Sequence, residues 1–399
     1  MINIKNKKDC CGCEACVQCC PKSCIIMQED REGFLYPKVN EDDCANCGLC
    51  ERVCPVINQT EERTPILVYA AKHKNERIRL ESSSGGVFTA IAECVIEDGG
   101  VVFGAKFDKT WSVVHGYTET KEGLSAFRGS KYVQSRIGDS YKDVELFLKG
   151  GRQVLFSGTP CQIAGLKGYL HKDYSNLLTV DFICHGVPSP RVWHEYLRNV
   201  VVCKYGDRNT TWSQDAVKEK CVRLESISFR DKKLGWKKFS FSYTLSVPDE
   251  QGNCSIISQS EPLNKNVFLR GFSANLYLRP SCHACPVKCF KSGSDITIGD
   301  FWGVQKIMAQ IDDDKGLSVI MLNSMNAERC INTSMIEKWP LIFDIVLNYN
   351  HAIKSSAKMP RKRDVFFRND GKSLEEKVHE LSKVSILNRL KQKINSILR

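Results

Sequence analysis

The sequence predicts an α/β body on a mixed, largely parallel sheet, with a small cysteine-rich α+β segment before it and a helical tail after it. Three observations carry that prediction. Eleven of the 21 cysteines fall between Cys10 and Cys54. After Pro65, short apolar runs alternate with helical patterns, as in a sheet whose strands are joined by helices. From His351 to Arg399, 13 Lys/Arg stand against 5 Asp/Glu, a balance of +8.

The first sixty residues contain an internal repeat. Cys10, Cys13, Cys16 and Cys20 precede Pro21, and Cys44, Cys47, Cys50 and Cys54 precede Pro55. Both sets read C-x2-C-x2-C-x3-C-P, the iron–sulfur run of two-cluster ferredoxins, in which the fourth cysteine reaches the other cluster. The spacing therefore assigns Cys10, Cys13, Cys16 and Cys54 to one 4Fe–4S cluster and Cys44, Cys47, Cys50 and Cys20 to a second. Zinc or structural disulfides are the alternatives, and the doubled spacing argues against both. Cys11, Cys19 and Cys24 fit no ligand slot and read as small buried residues beside the clusters. So short a segment builds little core, so its folding is expected to depend on its metal.

Gln59–Pro65 is polar and ends in proline, and it reads as a linker. Beyond it, Ile66–Ala71, Val101–Phe107, Val154–Phe156, Leu177–Ile183 and Ile296–Ile298 are expected as strands. Val87–Ile96, Tyr141–Leu148, Gln162–Leu170 and Arg191–Val200 are expected as helices. The expected units are residues 1–60, 65–145, 146–310 and a helical, basic extension over 311–399. Within the last, Leu317–Leu322 reads as a strand and Ala327–Trp339 as a helix.

Three loops carry chemistry. Ser82–Gly86 precedes a helix; Ser84 can cap it, and the glycines leave N–H groups for a phosphate. Arg128–Tyr132 offers two cations, a hydroxyl and a ring, suited to a flavin or equally to a solvated turn. Ser157–Cys161 sets Cys161 at a helix N-terminus, where the dipole favours a thiolate. Cys184 ends the next strand, and Cys282, Cys285 and Cys289 follow, with His283 available for a zinc knuckle.

The segments SSSGGVFTAI, RGSKYVQS, SGTPCQIAGLKGYL, VDFICHGVPSP and LRPSCHACPVK followed by SDITIGDFWG resemble the beta-subunit family of coenzyme F420 hydrogenases and dehydrogenases. A two-cluster ferredoxin is fused in front, and the resemblance spans roughly residues 1–305. It implies a flavoprotein, with FAD preferred over FMN, that passes electrons between a hydride carrier or reducible substrate and iron–sulfur clusters; some relatives reduce tetrapyrrole pigments instead. Ser84, Gly85, Gly86, Gly129, Lys131, Tyr132, Gly158 and Thr159 would line the flavin site. Cys161, Cys184, Cys282 and Cys285 would bind a third 4Fe–4S cluster, leaving Cys289 without a slot. The catalytic residues, the substrate and any use of coenzyme F420 are not readable.

The formal charge of +11 belongs to the tail, since residues 1–60 hold 7 Lys/Arg against 9 Asp/Glu. Two clusters of about −2 each would take that segment from −2 to about −6. The expected partner is therefore a redox protein or small electron carrier, and no nucleic-acid signature is present. No uncharged run approaches the ~20 residues of a membrane span, and MINIKNKKDCC lacks a signal-peptide core. A soluble, cytoplasmic protein is expected. Leu387, Leu390, Ile394 and Ile397 recur at helical spacing, for peripheral membrane contact or for packing on the body. Two other roles are a non-catalytic ferredoxin-type subunit serving a separate reductase, and a metal-stabilised interaction protein.

Overall fold

The computed structural model describes residues 1–202, 222–248, 253–331, 334–368 and 371–382. Among the described residues thirteen strands form three sheets. β1 (Ile25–Glu29) and β2 (Leu35–Val39) make an antiparallel hairpin in the N-terminal unit. β3 (Leu67–His73), β4 (Val101–Phe107), β5 (Val113–Thr118), β6 (Val154–Gly158) and β7 (Leu177–Phe182) follow in the body. β8 (Arg223–Asp231), β9 (Ser240–Pro248) and β10 (Cys254–Pro262) form a separate antiparallel sheet. β11 (Ile296–Asp300), β12 (Ser318–Leu322) and β13 (Ile336–Pro340) return to the main sheet.

The main sheet has the order β13-β3-β12-β11-β7-β6-β4-β5. The α/β body with a mixed sheet is as expected. Parallel pairing is confined to β11, β7, β6 and β4, while both flanks pair antiparallel. The parallel strands are apolar on both faces because helices cover them. Leu155 and Val180 pack under the helix Val87–Glu97, and Val154 and Phe156 under Ser140–Lys149 and Pro160–Leu170. The helix expected from Arg191 runs Pro190–Tyr196 and continues in wider turns over Leu197–Val202.

The C-terminal boundary needs correction. Residues beyond 310 are not a helical extension, because β12 and β13 are strands of the main sheet. The helix expected over Ala327–Trp339 is only Glu328–Ile331. Trp339 lies on β13, opposite Ala70 of β3. The proposed terminal helix through Leu387 and Ile397 lies outside the described residues. No described helix is long and apolar enough to cross a membrane.

The N-terminal unit is bolted to the body. Glu14 accepts from the N–H groups of Ile137 (3.0 Å) and Gly138 (3.1 Å), and Gln18 from those of Tyr141 (3.0 Å) and Lys142 (3.3 Å). Gln18 thus satisfies donors that Ser140–Lys149 leaves open at its start, while Glu14 holds the turn leading into it. Gly165 and Gly168 let the unit approach the helix Pro160–Leu170. A Cβ on Gly165 would lie 2.8 Å from Cys13 Cβ, and one on Gly168 would lie 2.6 Å from the Val53 carbonyl oxygen. Glu32 and Arg363, both buried, form a bidentate ion pair at 3.0 and 2.6 Å. The Gln59–Pro65 segment is coil, and it too is held, by a 3.0 Å bond from Arg63 N–H to the Cys289 carbonyl.

Candidate functional site

In the N-terminal unit the two cysteine sets open onto two cavities. Cys10, Cys13, Cys16 and Cys54 line one, and Cys20, Cys44, Cys47 and Cys50 line the other. The fourth residue of each run crosses to its neighbour's cavity because a short helix, Ala15–Gln18 or Leu49–Arg52, carries it past its own loop. Gly12 and Gly48 take positive φ (70° and 72°), which turns the loops tightly enough for three thiols to face inward. Burial raises the pKa of the Cys16 and Cys54 thiols, and neighbouring thiols, Cys10 among them, raise both further. Such a set is released from strain by a cation that holds every member as thiolate, which is the chemistry of an iron–sulfur site. Cys24 lies 3.5 Å from Cys20 in the second cavity, and Cys19 bonds the Cys16 carbonyl.

A third cavity lies in the body, lined by Cys161, Cys184, Cys282 and Cys285 together with Cys11. Cys161 follows β6, Cys184 follows β7, Cys282 lies within the turn Pro280–Ala284, and Cys285 ends it. β6 and β7 are parallel neighbours, so both loops emerge from the same edge of the sheet. Desolvation and the other thiols raise the pKa values of Cys184, Cys282 and Cys285, Cys282 to about 12. Cys161 does not have the depressed pKa expected at a helix N-terminus. Its contact with Cys11 and its burial outweigh the dipole and push it well up.

Cys289 lines the same cavity, whereas His283 does not. The Cys289 thiol is raised by burial and then by Glu62. His283 turns Nδ1 to the Ala357 carbonyl at 2.9 Å. Among the described residues no three His, Cys, Asp or Glu side chains converge on a single ion, at this cavity or at the two N-terminal ones. Asp181, on β7, also lines the cavity. Burial raises its pKa to about 6, against donation from Ser292 and Thr297 at 2.6 Å each.

The three loops suggested for a flavin are tied together. Ser130 N–H donates to Ser83 Oγ at 2.5 Å, and Gln162 Nε2 donates to Ser135 Oγ at 2.9 Å. Residues 130–135 therefore run from the first loop to the third. The detail departs from expectation. Ser84 does not cap the helix; Gly86 holds that position, and Ser84 Oγ donates to the Leu317 carbonyl at 2.7 Å. Gly85 serves packing, since a Cβ there would lie 2.5 Å from the Ala71 carbonyl oxygen, and its N–H is already bonded to Ser318. Thr159 N–H is likewise taken, by Gln162, and Gly158 lies against that same side chain. Tyr132 stacks on Phe272 at 4.7 Å and receives a 3.3 Å bond from Arg230.

Lys131 is the exception. Its stem keeps some exposure, but its ammonium is enclosed by the carbonyls of Arg128 and Gly129, both at 3.2 Å. Desolvation alone pulls its pKa down to about 7. Lys232, unmarked by any sequence pattern, is held similarly by the carbonyls of Arg79, Ser84 and Lys315, and its pKa also falls to about 7.

A doubled cysteine module bolted to a mixed α/β body is the build of an iron–sulfur electron-transfer protein. Comparison with protein families gives its kind. Residues 151–339 match the C terminus of the beta subunit of coenzyme F420 hydrogenase/dehydrogenase, residues 68–140 match the N-terminal part of that same beta subunit, and residues 9–58 match a 4Fe-4S dicluster domain. The chain belongs to the coenzyme F420 hydrogenase/dehydrogenase beta-subunit family, an oxidoreductase family, with a dicluster domain in front. Among solved structures it is similar to a chain of the F420-reducing [NiFe] hydrogenase complex from Methanosarcina barkeri, studied by xenon derivatization. The identity is 18% and the TM-score 0.45, over 73% of this chain and 90% of that one. No curated protein matches.

Proposed function

We propose that this chain is an iron–sulfur flavoprotein oxidoreductase that passes electrons between a hydride carrier or reducible substrate and a line of three 4Fe–4S clusters. The observation that carries the proposal is the shared position of Cys11. It lines both the Cys10–Cys13–Cys16–Cys54 cavity and the Cys161–Cys184–Cys282–Cys285 cavity, so the two metal sites would be neighbours across the domain boundary. The donor set of the body cavity fits a cluster: Cys161, Cys184, Cys282 and Cys285, from three separate chain segments, face one space, with Cys11 and Cys289 also on its wall.

Flavin binding is supported by Lys131. A desolvated ammonium with no carboxylate partner among the described residues fits an anion such as a flavin phosphate. When bound, a flavin supplies the exchange of a two-electron hydride for single electrons, which no side chain of this protein can perform. Tyr132, Phe272 and His185 form an aromatic path toward Cys184, with ring separations of 4.7 and 5.5 Å. A second reading, an electron-transfer subunit without flavin, draws support from the occupied N–H groups of Gly85 and Thr159.

Iron, sulfide, zinc and flavin assays on anaerobically purified wild type and Cys184→Ser test these readings. Three clusters require about 12 irons, falling in the variant; about 8 irons in both proteins, with stoichiometric zinc, would reject the third cluster. Clusters without flavin would select the second reading.

A further inference from the structure

Arg279 is completely buried, at 0% exposure, and no ion pair among the described residues holds it. Its nitrogens donate to the carbonyls of Cys10 and Leu35, both at 2.8 Å, and to Gln134 Oε1 at 2.9 Å. The remaining contact is Nη2 to Cys10 Sγ, at 3.4 Å. The guanidinium also lies 4.4 Å from the centre of the Tyr36 ring. A guanidinium does not shed its proton, and a buried charge needs a countercharge. Neutral acceptors satisfy its hydrogens, and the one carboxylate whose charge reaches it, the buried Glu14, makes no bond to it among the described residues.

Cys10 is the one acceptor that can become anionic. As a ligand of a cluster with a net charge of about −2, it supplies a countercharge in direct contact with the guanidinium. Gly12 makes room for this contact: a Cβ there would lie 2.6 Å from Arg279 Nη1. The backbone of Arg279 also leads into the body cavity, because its carbonyl accepts from Cys282 N–H at 2.9 Å. The second N-terminal cavity differs, since Lys22 on its rim is exposed and its charge is screened by water.

We infer that Arg279 is the electrostatic counter-ion of the cluster held by Cys10, Cys13, Cys16 and Cys54, and that it raises that cluster's reduction potential. The inference rests on the reading of those cysteines as ligands. Reduction adds one electron and no proton, taking the cluster from about −2 to −3, so a fixed adjacent cation stabilises the reduced form more than the oxidised one. Arg279 is a tuning residue: it acts through the ligand and leaves the ligand set alone.

The test is an EPR-monitored redox titration of the full-length, cluster-loaded protein with dithionite. The two N-terminal clusters are told apart by an aqueous paramagnetic ion, which broadens the one held by the exposed Cys47. Arg279→Gln should disfavour reduction of the Cys10 cluster at least tenfold, which is 59 mV for one electron, and leave the Cys47 cluster unmoved. Arg279→Lys should retain most of the effect. Gly12→Ala, which displaces the guanidinium without removing it, should shift the same signal in the same direction. Fewer than eight irons in wild type would defeat the ligand reading itself. With eight or more irons present, an unmoved Cys10-cluster potential in Arg279→Gln overturns the inference. If that variant does not load, an unmoved potential in Gly12→Ala overturns it.

Discussion

Gly165→Ala isolates the contact between the N-terminal unit and the body. In an ordinary helix interior this change stabilises by up to about 1 kcal/mol, because glycine loses more backbone entropy on folding. Here the new methyl would lie 2.8 Å from Cys13 Cβ, 3.0 Å from Cys13 Sγ and 3.0 Å from Tyr141 Oη. Carbon atoms pack at about 3.5–4.0 Å, so the Cys13 loop must retreat by roughly 1 Å. Neither neighbour can yield cheaply, since Tyr141 is fully buried with its hydroxyl bonded to the Gln162 carbonyl, and Cys13 is buried on the wall of the cavity it shares with Cys10, Cys16 and Cys54. Overpacking of this kind costs about 1–3 kcal/mol. Set against the propensity gain, the expected net loss is about 1–2 kcal/mol. Gly150→Ala is the control: Gly150 ends a helix, and a Cβ there meets nothing closer than 3.5 Å. The assay is anaerobic heating, following loss of cluster absorbance and protease cleavage within Gln59–Pro65. Gly165→Ala should lose absorbance at a lower temperature than Gly150→Ala and be cut sooner. A Gly165→Ala protein as stable as the control would refute docking through this helix.

Five further outcomes are expected. Arg363→Met should cost about 3–5 kcal/mol because it strands a buried carboxylate, and adding Glu32→Gln should recover much of that, as equilibrium unfolding of the double mutant would reveal. Flavin affinity should weaken above pH 7 by up to about tenfold per unit, because Lys131 sheds its proton near that pH and an anion needs it charged; a pH series of flavin release should be flat in Lys131→Met. The same lowered pKa makes the unfolded chain hold the proton that the flavin-free native protein has lost, so that residue's contribution to stability rises from pH 7 toward about 10.4. Cys11→Ala should keep the wild-type iron count, since Cys11 fills no ligand slot, yet slow electron exchange across the domain boundary in stopped-flow reduction. Partner binding at the N-terminal unit should weaken between low and high salt, because the cluster charges leave that unit near −6.

The parallel core was legible because its strands are continuous apolar runs between glycine-rich loops: Val101–Phe107 has the predicted bounds, and β6 and β7 differ by a residue or two. The cysteine repeats were legible because spacing in a ligand loop is rigid. Of the antiparallel strands, β3 and β12 were legible as apolar runs, whereas β5, β8, β9, β10 and β13 were not. β10 is largely exposed, so selection for burial left no pattern on Cys254–Pro262. β13 reads IEKWP, too short and too polar to announce a strand, and its place beside β3 is fixed by long-range pairing. Among site residues, Gly85 looked like a phosphate-loop glycine, while its cause is contact with β3 and β12. Arg279 and Lys232 carry no local signal, since what distinguishes them is the set of carbonyls that the finished fold brings around them.

The buried pair of Glu32 and Arg363 joins residues 331 positions apart in the chain. At about 5–20 residues per second, roughly 20–60 s of synthesis separate the two partners. During that interval the cysteine loops exist while their final clamp does not, and the cavity around Cys10 has yet to receive Arg279. Delivery of iron and sulfide by an assembly scaffold is therefore easiest on the nascent chain, before the later segments close over the first unit. A finished protein stripped of its metal would have to reopen that closure to be reloaded.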